Sequence, residues 1–180
     1  MPDIAASDPG RALSLAERLV KELSARKKTI AAAESCTAGL AAHFIASIPG
    51  ASEIFWGSFV SYAEDAKAGM LGIPMECIKK YGAVSRPVAI AMAEGALERS
   101  GAFWAFSVTG LAGPGGDNFG TPVGTVWIGI AGRDGGDINA PRSEAKKFFF
   151  YGSRNELREA AAVAALQMLL ERIHEYGPVY

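Results

Sequence analysis

Residues 29–39 have the sequence TIAAAESCTAG, and this stretch decides the fold. Its first half carries no alternation of polar and apolar residues, which predicts a short strand with both faces buried. The apolar residues Leu40, Phe44 and Ile48 follow at intervals of four and would share one face of a helix over residues 37–48. A buried strand that leads directly into a helix predicts an α/β fold.

Polar side chains fill the junction between this strand and this helix. Ser35 and Thr37 supply hydroxyls and Cys36 supplies a thiol, at a point where the first N–H groups of a helix have no partner. Ser35 is therefore a candidate nucleophile, held at the sheet edge and facing the partial positive charge of a helix N-terminus. Cys36 is a second candidate, because the same charge favours a thiolate. The alternative is that Ser35 only caps the helix.

The composition indicates one intracellular domain. The chain has 180 residues, 49% of them hydrophobic and 21% charged, which is enough for a single core. A net charge of −1 argues against a nucleic-acid partner, and two cysteines with two histidines give no metal-binding spacing. No apolar run approaches the ~18 residues of a membrane span, and the N-terminus is unlike a signal peptide. Because free thiols suit a reducing compartment, we expect a cytoplasmic protein without a membrane partner.

The remaining pattern alternates helices and strands without an internal repeat or a linker. We expect a flexible leader over residues 1–12 and a single domain over residues 13–180, in which Gly57 bends the second strand or marks a hairpin. The last two strands should be antiparallel, because their connection is short. This order favours a mixed sheet between helices. The predicted helices cover residues 13–26, 64–71, 75–80, 85–100 and 153 onwards, and the other predicted strands cover residues 53–63, 103–108, 123–131 and 143–151.

If Ser35 is a nucleophile, it needs a general base to take its proton, and neither histidine is well placed for that role. His43 lies in the middle of a predicted helix and His174 lies near the C-terminus. Lys67, five residues after Tyr62, is the best alternative. A lysine acts as a base only when it is neutral, so burial or a neighbouring cation must depress its reference pKa of ~10.4. The competing interpretation is a surface lysine on a short helix and a tyrosine that only packs.

A glycine-rich loop, with the sequence SVTGLAGPGGD over residues 107–117, follows another predicted strand. Such a loop exposes backbone N–H groups and lets a ligand approach the main chain, which indicates an anion site, unless it is only a long turn. It lacks both the Gly-Lys-Ser/Thr ending of a Walker A motif and the spacing of a dinucleotide fingerprint. Arg154, at the start of the last helix, adds a planar cation suited to a phosphate, or else is an ordinary surface arginine.

Taken together, these motifs resemble the CinA C-terminal domain family, which includes stand-alone nicotinamide-nucleotide amidases. The resemblance covers residues 13–170, and the motifs occur in the family's order. They are AESCTAG (33–39), Tyr62 with Ala66 and Lys67, GAVS (82–85), SVTGLAGPGG (107–116), PVGTV (122–126) and GSR (152–154).

The resemblance implies a three-layer α/β/α sandwich with a mixed, mainly parallel central sheet. It also implies hydrolysis of the carboxamide of nicotinamide mononucleotide to nicotinate mononucleotide and ammonia, without a cofactor or a metal. Ser35 would be the nucleophile, Lys67 its base and Tyr62 a helper or proton relay. A homodimer or a higher homo-oligomer is expected, with a pyridine nucleotide as the small-molecule partner. Substrate contacts are expected from Cys36, Thr37, Thr109, Gly110, Gly113, Gly115, Gly116 and Arg154.

Three positions depart from the family's pattern. Ala38 stands where many members carry glycine, and Ser153 stands where aspartate is frequent, although either residue can cap a helix. The segment DNFGT over residues 117–121 lacks the lysine expected before Pro122, so its substrate contacts are undefined. Two alternatives to the nucleotide amidase are a non-catalytic module that binds a nucleotide or a partner, and a general amidase that acts on unphosphorylated amides.

Overall fold

A mixed sheet lies between two layers of helices in the computed structural model, which describes residues 8–133 and 141–176. The predicted three-layer α/β/α sandwich is therefore confirmed. The strands are β1 (Ile30–Glu34), β2 (Phe55–Val60), β3 (Trp104–Gly110), β4 (Thr125–Gly132) and β5 (Arg142–Phe149). The helices are α1 (Pro9–Arg26), α2 (Leu40–Ala46), α3 (Glu64–Leu71), α4 (Met75–Tyr81), α5 (Arg86–Ser100) and α6 (Arg154–Glu175), with a short 3-10 helix at Ala51–Glu53.

The sheet has the order β2-β1-β3-β4-β5, and among these five strands β4 runs opposite to the other four, so the sheet is mixed and mainly parallel in direction. Strand β1 is parallel to β2 and β3, whereas β4 is antiparallel to β3 and β5, as the short connection before β5 predicted. Glu34 is paired with Val60 on one side and Val108 on the other. The residues that follow these three strands therefore lie side by side at one edge of the sheet.

The two faces of the sheet belong to two separate cores. Ile30 and Ala32 pack with α1, α2 and α6, whereas Ala31 and Ala33 pack with α3, α4 and α5. Every residue of β1 is buried. Because both faces are covered, this strand needs no polar alternation, and the prediction from residues 29–33 is confirmed.

The start of α1 differs from the sequence-based expectation. Helix α1 begins at Pro9, within the segment predicted as a leader, because the Asp8 carboxylate accepts the Arg11 N–H at 3.1 Å and proline suits a first turn. The rest of the predicted leader, residues 1–7, lies outside the described residues. Strand β2 is a single bent strand, which is the first of the two predicted alternatives, since its register with β1 shifts between Phe55 and Gly57. No helix in residues 8–133 or 141–176 combines the length and apolarity needed to cross a bilayer.

Candidate active site

The fold brings Ser35 and Lys67 together. Ser35 follows β1, and Lys67 lies in α3, which begins shortly after β2 ends. The Lys67 Nζ atom is 2.9 Å from the Ser35 Oγ atom, although 32 positions separate the two residues. Only 1% of Lys67 and 7% of Ser35 is exposed. The alternative of a surface lysine is therefore wrong, and the predicted contact between nucleophile and base is present.

Two main-chain carbonyls hold the Lys67 amine in this position. Nζ donates to the carbonyl oxygen of Ser61 at 2.9 Å and to that of Tyr62 at 3.1 Å. Burial lowers the pKa of Lys67 from 10.5 to about 8, against the opposing effects of Cys36 and Glu64. A neutral amine has two N–H groups and one lone pair, and carbonyls can only accept. Below its pKa the charged amine donates its third N–H to Ser35 Oγ; above it, the two remaining N–H groups satisfy the carbonyls and the lone pair is left for the Ser35 hydroxyl.

Glu34, rather than Ser35, supplies the cap of α2. The helix begins at Leu40, three residues later than predicted, and its N-cap is Gly39 with a φ of 90°. The buried Glu34 carboxylate accepts three backbone N–H groups at 3.0–3.1 Å, those of Gly39, Ala41 and Ala42. It also accepts the Ser58 hydroxyl at 3.1 Å. The Ser35 hydroxyl therefore does not cap α2, and it contacts the Lys67 amine instead.

Glu34 is the functional residue that the sequence analysis missed. Its side chain ties the turn after β1 to the start of α2 and to the neighbouring strand β2. This turn carries the nucleophile. A charged residue at the end of an otherwise apolar, doubly buried strand was the available signal, because a buried carboxylate must find several donors.

Cys36 lines the pocket beside Ser35 but is poorly suited to attack. Its thiol is 5% exposed, and burial raises its pKa to about 12, although the N–H groups of Cys36 and Thr37 favour the thiolate. Burial thus favours the protonated thiol at neutral pH, which disfavours Cys36 as the rival nucleophile. In the same turn, the Ala38 N–H donates to the Ser35 carbonyl at 3.0 Å, so this N–H is not available to bind a ligand.

Thr37 differs from the other predicted contacts. It is fully buried and does not line the pocket. Within the described ranges its Oγ1 atom has no hydrogen-bond partner, and its carbonyl accepts Nη2 of Arg158 at 3.0 Å. The Thr37 side chain is therefore not placed among the residues that face the pocket, and the residue links the turn to α6.

The glycine-rich loop after β3 forms one wall of the pocket, which has a volume of about 570 Å³. The buried Thr109 lines this pocket, and its hydroxyl donates to the Ala83 carbonyl at 2.8 Å. The loop glycines that were predicted to line it do so, namely Gly110, Gly113, Gly115 and Gly116. At Gly110 a Cβ atom would lie 2.9 Å from the Thr125 carbonyl, so a larger residue does not fit. Glycine at this position thus lets the loop pack closely against the start of β4.

Arg154 and Tyr62 form a second pair of hydrogen-bonded side chains in the pocket, after Ser35 and Lys67. Arg154 is the first residue of α6, where Ser153 and Glu156 form a capping box. Its Nη2 atom donates to the Tyr62 hydroxyl at 2.6 Å, and its Nη1 atom donates to the Gly113 carbonyl. Among the described residues, the Tyr62 phenol makes no hydrogen bond to Ser35 or Lys67. The predicted proton-relay role is therefore not supported, and only its main-chain carbonyl contacts the lysine.

The two histidines lie elsewhere, although Glu64 and Asp117 also line the pocket. His43 and His174 are exposed, on α2 and near the end of α6. In residues 8–133 and 141–176, no three histidine, cysteine, aspartate or glutamate side chains come together as metal ligands would. Neither histidine lines the pocket.

A comparison of sequences finds relatives over most of the chain. A family model described as the CinA C-terminal domain matches residues 12–173. The chain is 46% identical to a "Putative competence-damage inducible protein" of Symbiobacterium thermophilum, over 87% of this chain and 37% of that protein. It is 45% identical to a "CinA-like protein" of Akkermansia muciniphila, over 88% of this chain and 37% of that protein. The chain thus spans little more than a third of these relatives.

Solved structures match the fold closely. The competence/damage inducible protein CihA from Agrobacterium tumefaciens has a TM-score of 0.82 and 38% identity, over 90% of this chain and 95% of that chain. The competence damage-inducible protein A from Klebsiella pneumoniae has a TM-score of 0.86 and 29% identity, over 92% of this chain and 99% of that chain. Together with the family match, these similarities show that the chain belongs to the CinA C-terminal domain family.

Proposed function

We propose that this chain hydrolyses the carboxamide of nicotinamide mononucleotide, with Ser35 as nucleophile and Lys67 as base. The supporting observation is the buried Lys67 amine, 2.9 Å from the Ser35 hydroxyl and held by two carbonyls. The substrate class rests on the amidases of the family. The cation of Arg154 and the glycine-rich loop, which suit a phosphate, add to it.

The first half of the reaction forms an ester. The Ser35 hydroxyl gives its proton to the neutral Lys67 amine while Oγ attacks the amide carbon. The N–H of Cys36, the residue that follows the nucleophile, is available to stabilise the oxyanion, since it donates to no oxygen within the described ranges. When the intermediate collapses, the amide nitrogen takes the proton from Lys67 and leaves as ammonia.

The second half of the reaction releases the acid. Water attacks the ester carbon and gives a proton to Lys67, which returns it to Ser35 Oγ as the C–O bond breaks. The products are nicotinate mononucleotide and ammonia, and the enzyme is regenerated. The nucleotide phosphate is held by Arg154 and the backbone N–H groups of the glycine-rich loop.

The role of Ser35 is tested by ammonia release from nicotinamide mononucleotide. Ser35→Ala should lower kcat by at least about 1,000-fold while the fold is kept, because the nucleophile is lost. Ser52→Ala is the matched control, since Ser52 is an exposed serine beside β2. Turnover by Ser35→Ala at the wild-type rate contradicts the mechanism. Nucleotide binding without ammonia release by the wild type would indicate the non-catalytic module instead.

The same assay separates a nucleotide amidase from a general amidase. Arg154→Ala should raise KM for nicotinamide mononucleotide about 10- to 100-fold, because a charged hydrogen bond to the phosphate is lost. It should leave the slower reaction of nicotinamide riboside unchanged. Arg18→Ala, at an exposed position of α1, is the control. Equal rates on nucleotide and riboside, with a harmless Arg154→Ala, would indicate a general amidase.

A further inference from the structure

An aromatic ring without an assigned role lines the pocket. Tyr62 and Phe119 are the aromatic residues of its lining. The Tyr62 hydroxyl is bound to Arg154, whereas Phe119 lies in the segment 117–121, whose contacts the sequence left undefined. A large apolar side chain that is 52% exposed inside a pocket has ring surface available to a ligand.

The main chain fixes the position of the Phe119 ring. The Asp117 carboxylate accepts the N–H groups of Phe119 at 3.0 Å and Thr121 at 2.9 Å, which closes a tight turn. Although desolvation opposes it, these hydrogen bonds lower the pKa of Asp117, so the turn persists at neutral pH. The ring lies against Gly82, where a Cβ atom would be 2.9 Å from it. Glycine at this position thus makes room for the ring.

The segment that contacts the Phe119 ring, at Gly82, lies close in the fold to Ser35. The residue after Gly82 is Ala83, whose carbonyl accepts the Thr109 hydroxyl at 2.8 Å. Thr109 follows Val108, which is paired with Glu34, the residue before Ser35. The ring therefore lies against a segment that is hydrogen-bonded to the end of β3, next to the strand that leads to Ser35.

We propose that Phe119 is a specificity-determining residue that selects substrates whose amide is attached to a cationic aromatic ring. The inference rests on the proposed function, because the ring of nicotinamide mononucleotide is a pyridinium. A phenyl face attracts a cation and stacks on a flat ring. An uncharged, non-aromatic dihydropyridine ring lacks the attraction between cation and ring face and keeps only ordinary apolar contact. Phe119 thus acts on binding of the ring, whereas Arg154 acts on the phosphate at the other end of the substrate.

The test measures how the Phe119→Leu variant binds nicotinamide mononucleotide, whose ring is oxidised, and its reduced form. Leucine keeps an apolar side chain of similar volume at this position. KM for nicotinamide mononucleotide should rise about 3- to 30-fold, with kcat within about twofold of the wild type. The inhibition constant of reduced nicotinamide mononucleotide should stay within about twofold. Phe119→Tyr should behave as the wild type. The control is Tyr151→Leu, at an aromatic residue that is 87% exposed and does not line the pocket.

Several outcomes would overturn the inference while leaving the proposed function intact. An unchanged KM in Phe119→Leu would show that the ring makes no contact with the substrate. Equal weakening of the oxidised and the reduced ligand, or a lowered unfolding midpoint, would show that the ring only packs the segment.

If the wild type releases no ammonia, the proposed function fails, and titration calorimetry of the same two ligands then decides the role of Phe119. Binding of neither ligand would refute both.

Discussion

In the proposed mechanism Lys67 has the role that a histidine base has in many serine hydrolases, and its surroundings favour the neutral amine that this role requires. Its amine is removed from water and faces carbonyl oxygens, which accept hydrogen bonds without contributing a full negative charge. Burial therefore lowers its pKa to about 8. A carboxylate in the place of these carbonyls would have favoured the charged amine and left no base at neutral pH.

Tyr62 illustrates how a residue can belong to the site in a role other than the expected one. Because its hydroxyl contacts Arg154, Tyr62→Phe should raise KM for nicotinamide mononucleotide about 3- to 10-fold and leave kcat within about twofold. Steady-state ammonia release gives both constants. A fall in kcat of about 100-fold at constant KM would instead place the phenol in proton transfer.

The sequence was informative about the chemistry of individual residues and less so about their partners. Ser35, Lys67 and Arg154 could be selected because hydroxyl, amine and guanidinium suggest distinct roles. The contact between Arg154 and Tyr62 joins residues 92 positions apart, and no local pattern encodes it. The burial that lowers the pKa of Lys67 likewise has no local pattern. It results from the packing of α3 against the turn after β1 and the segment after β2.

Among the secondary-structure elements, the turn between β1 and α2 determines the orientation of the Ser35 side chain. Glu34 belongs to the strand but caps the following helix, and it also binds Ser58 of β2. One carboxylate thus joins three elements around Ser35. This arrangement frees the serine from the capping role that its position would otherwise assign to it.

Replacing Glu34 should therefore affect both stability and catalysis. Glu34→Ala leaves three buried or part-buried N–H groups without an acceptor and should lower the free energy of unfolding by about 2–4 kcal/mol. We also expect kcat to fall, because the turn that carries Ser35 loosens. Urea unfolding and ammonia release measure the two effects. Glu53→Ala, at an exposed position before β2, should change stability by less than about 0.5 kcal/mol, and the same small change for Glu34→Ala would refute its capping role.

Elements whose patterns are local could be predicted from the sequence. Strand β1 followed from its uniform apolarity, and α5 followed from Ser85 at its start and Gly101 at its end, where the structure places its caps. The start of α2 was wrong because its cap comes from the preceding strand, which lies outside the local signal. Caps supplied from another element are invisible to rules based on neighbouring residues.

For the whole molecule, the contact between two helices of one layer positions the base. Helix α3 carries Lys67, and its last residue, Leu71, packs against Gly95 of α5. A Cβ atom at Gly95 would lie 2.3 Å from the Leu71 carbonyl oxygen. The distance between Lys67 and Ser35 thus depends on how closely these two helices approach each other.

A pair of glycine substitutions tests this dependence. Gly95→Ala must push α3 away and should lower the free energy of unfolding by about 2–3 kcal/mol, together with kcat. Gly69→Ala, in the same helix as Lys67, meets nothing within 4 Å and should stabilise the protein by about 0.5–1 kcal/mol. Urea unfolding compares the two. Equal effects of both substitutions would show that the close approach of the helices is unimportant.

The central claim is that Ser35 is activated by a neutral Lys67, and the pH dependence of kcat/KM for nicotinamide mononucleotide tests it most directly. As the pH rises towards about 8, Lys67 loses its proton and becomes a base, so kcat/KM should rise about tenfold per pH unit and level off above that value. Lys67→Met should be at least about 1,000-fold slower and lack this rise. A wild-type profile that is flat from about pH 6 to about pH 9, or a Lys67→Met profile with the same rise, would contradict the account.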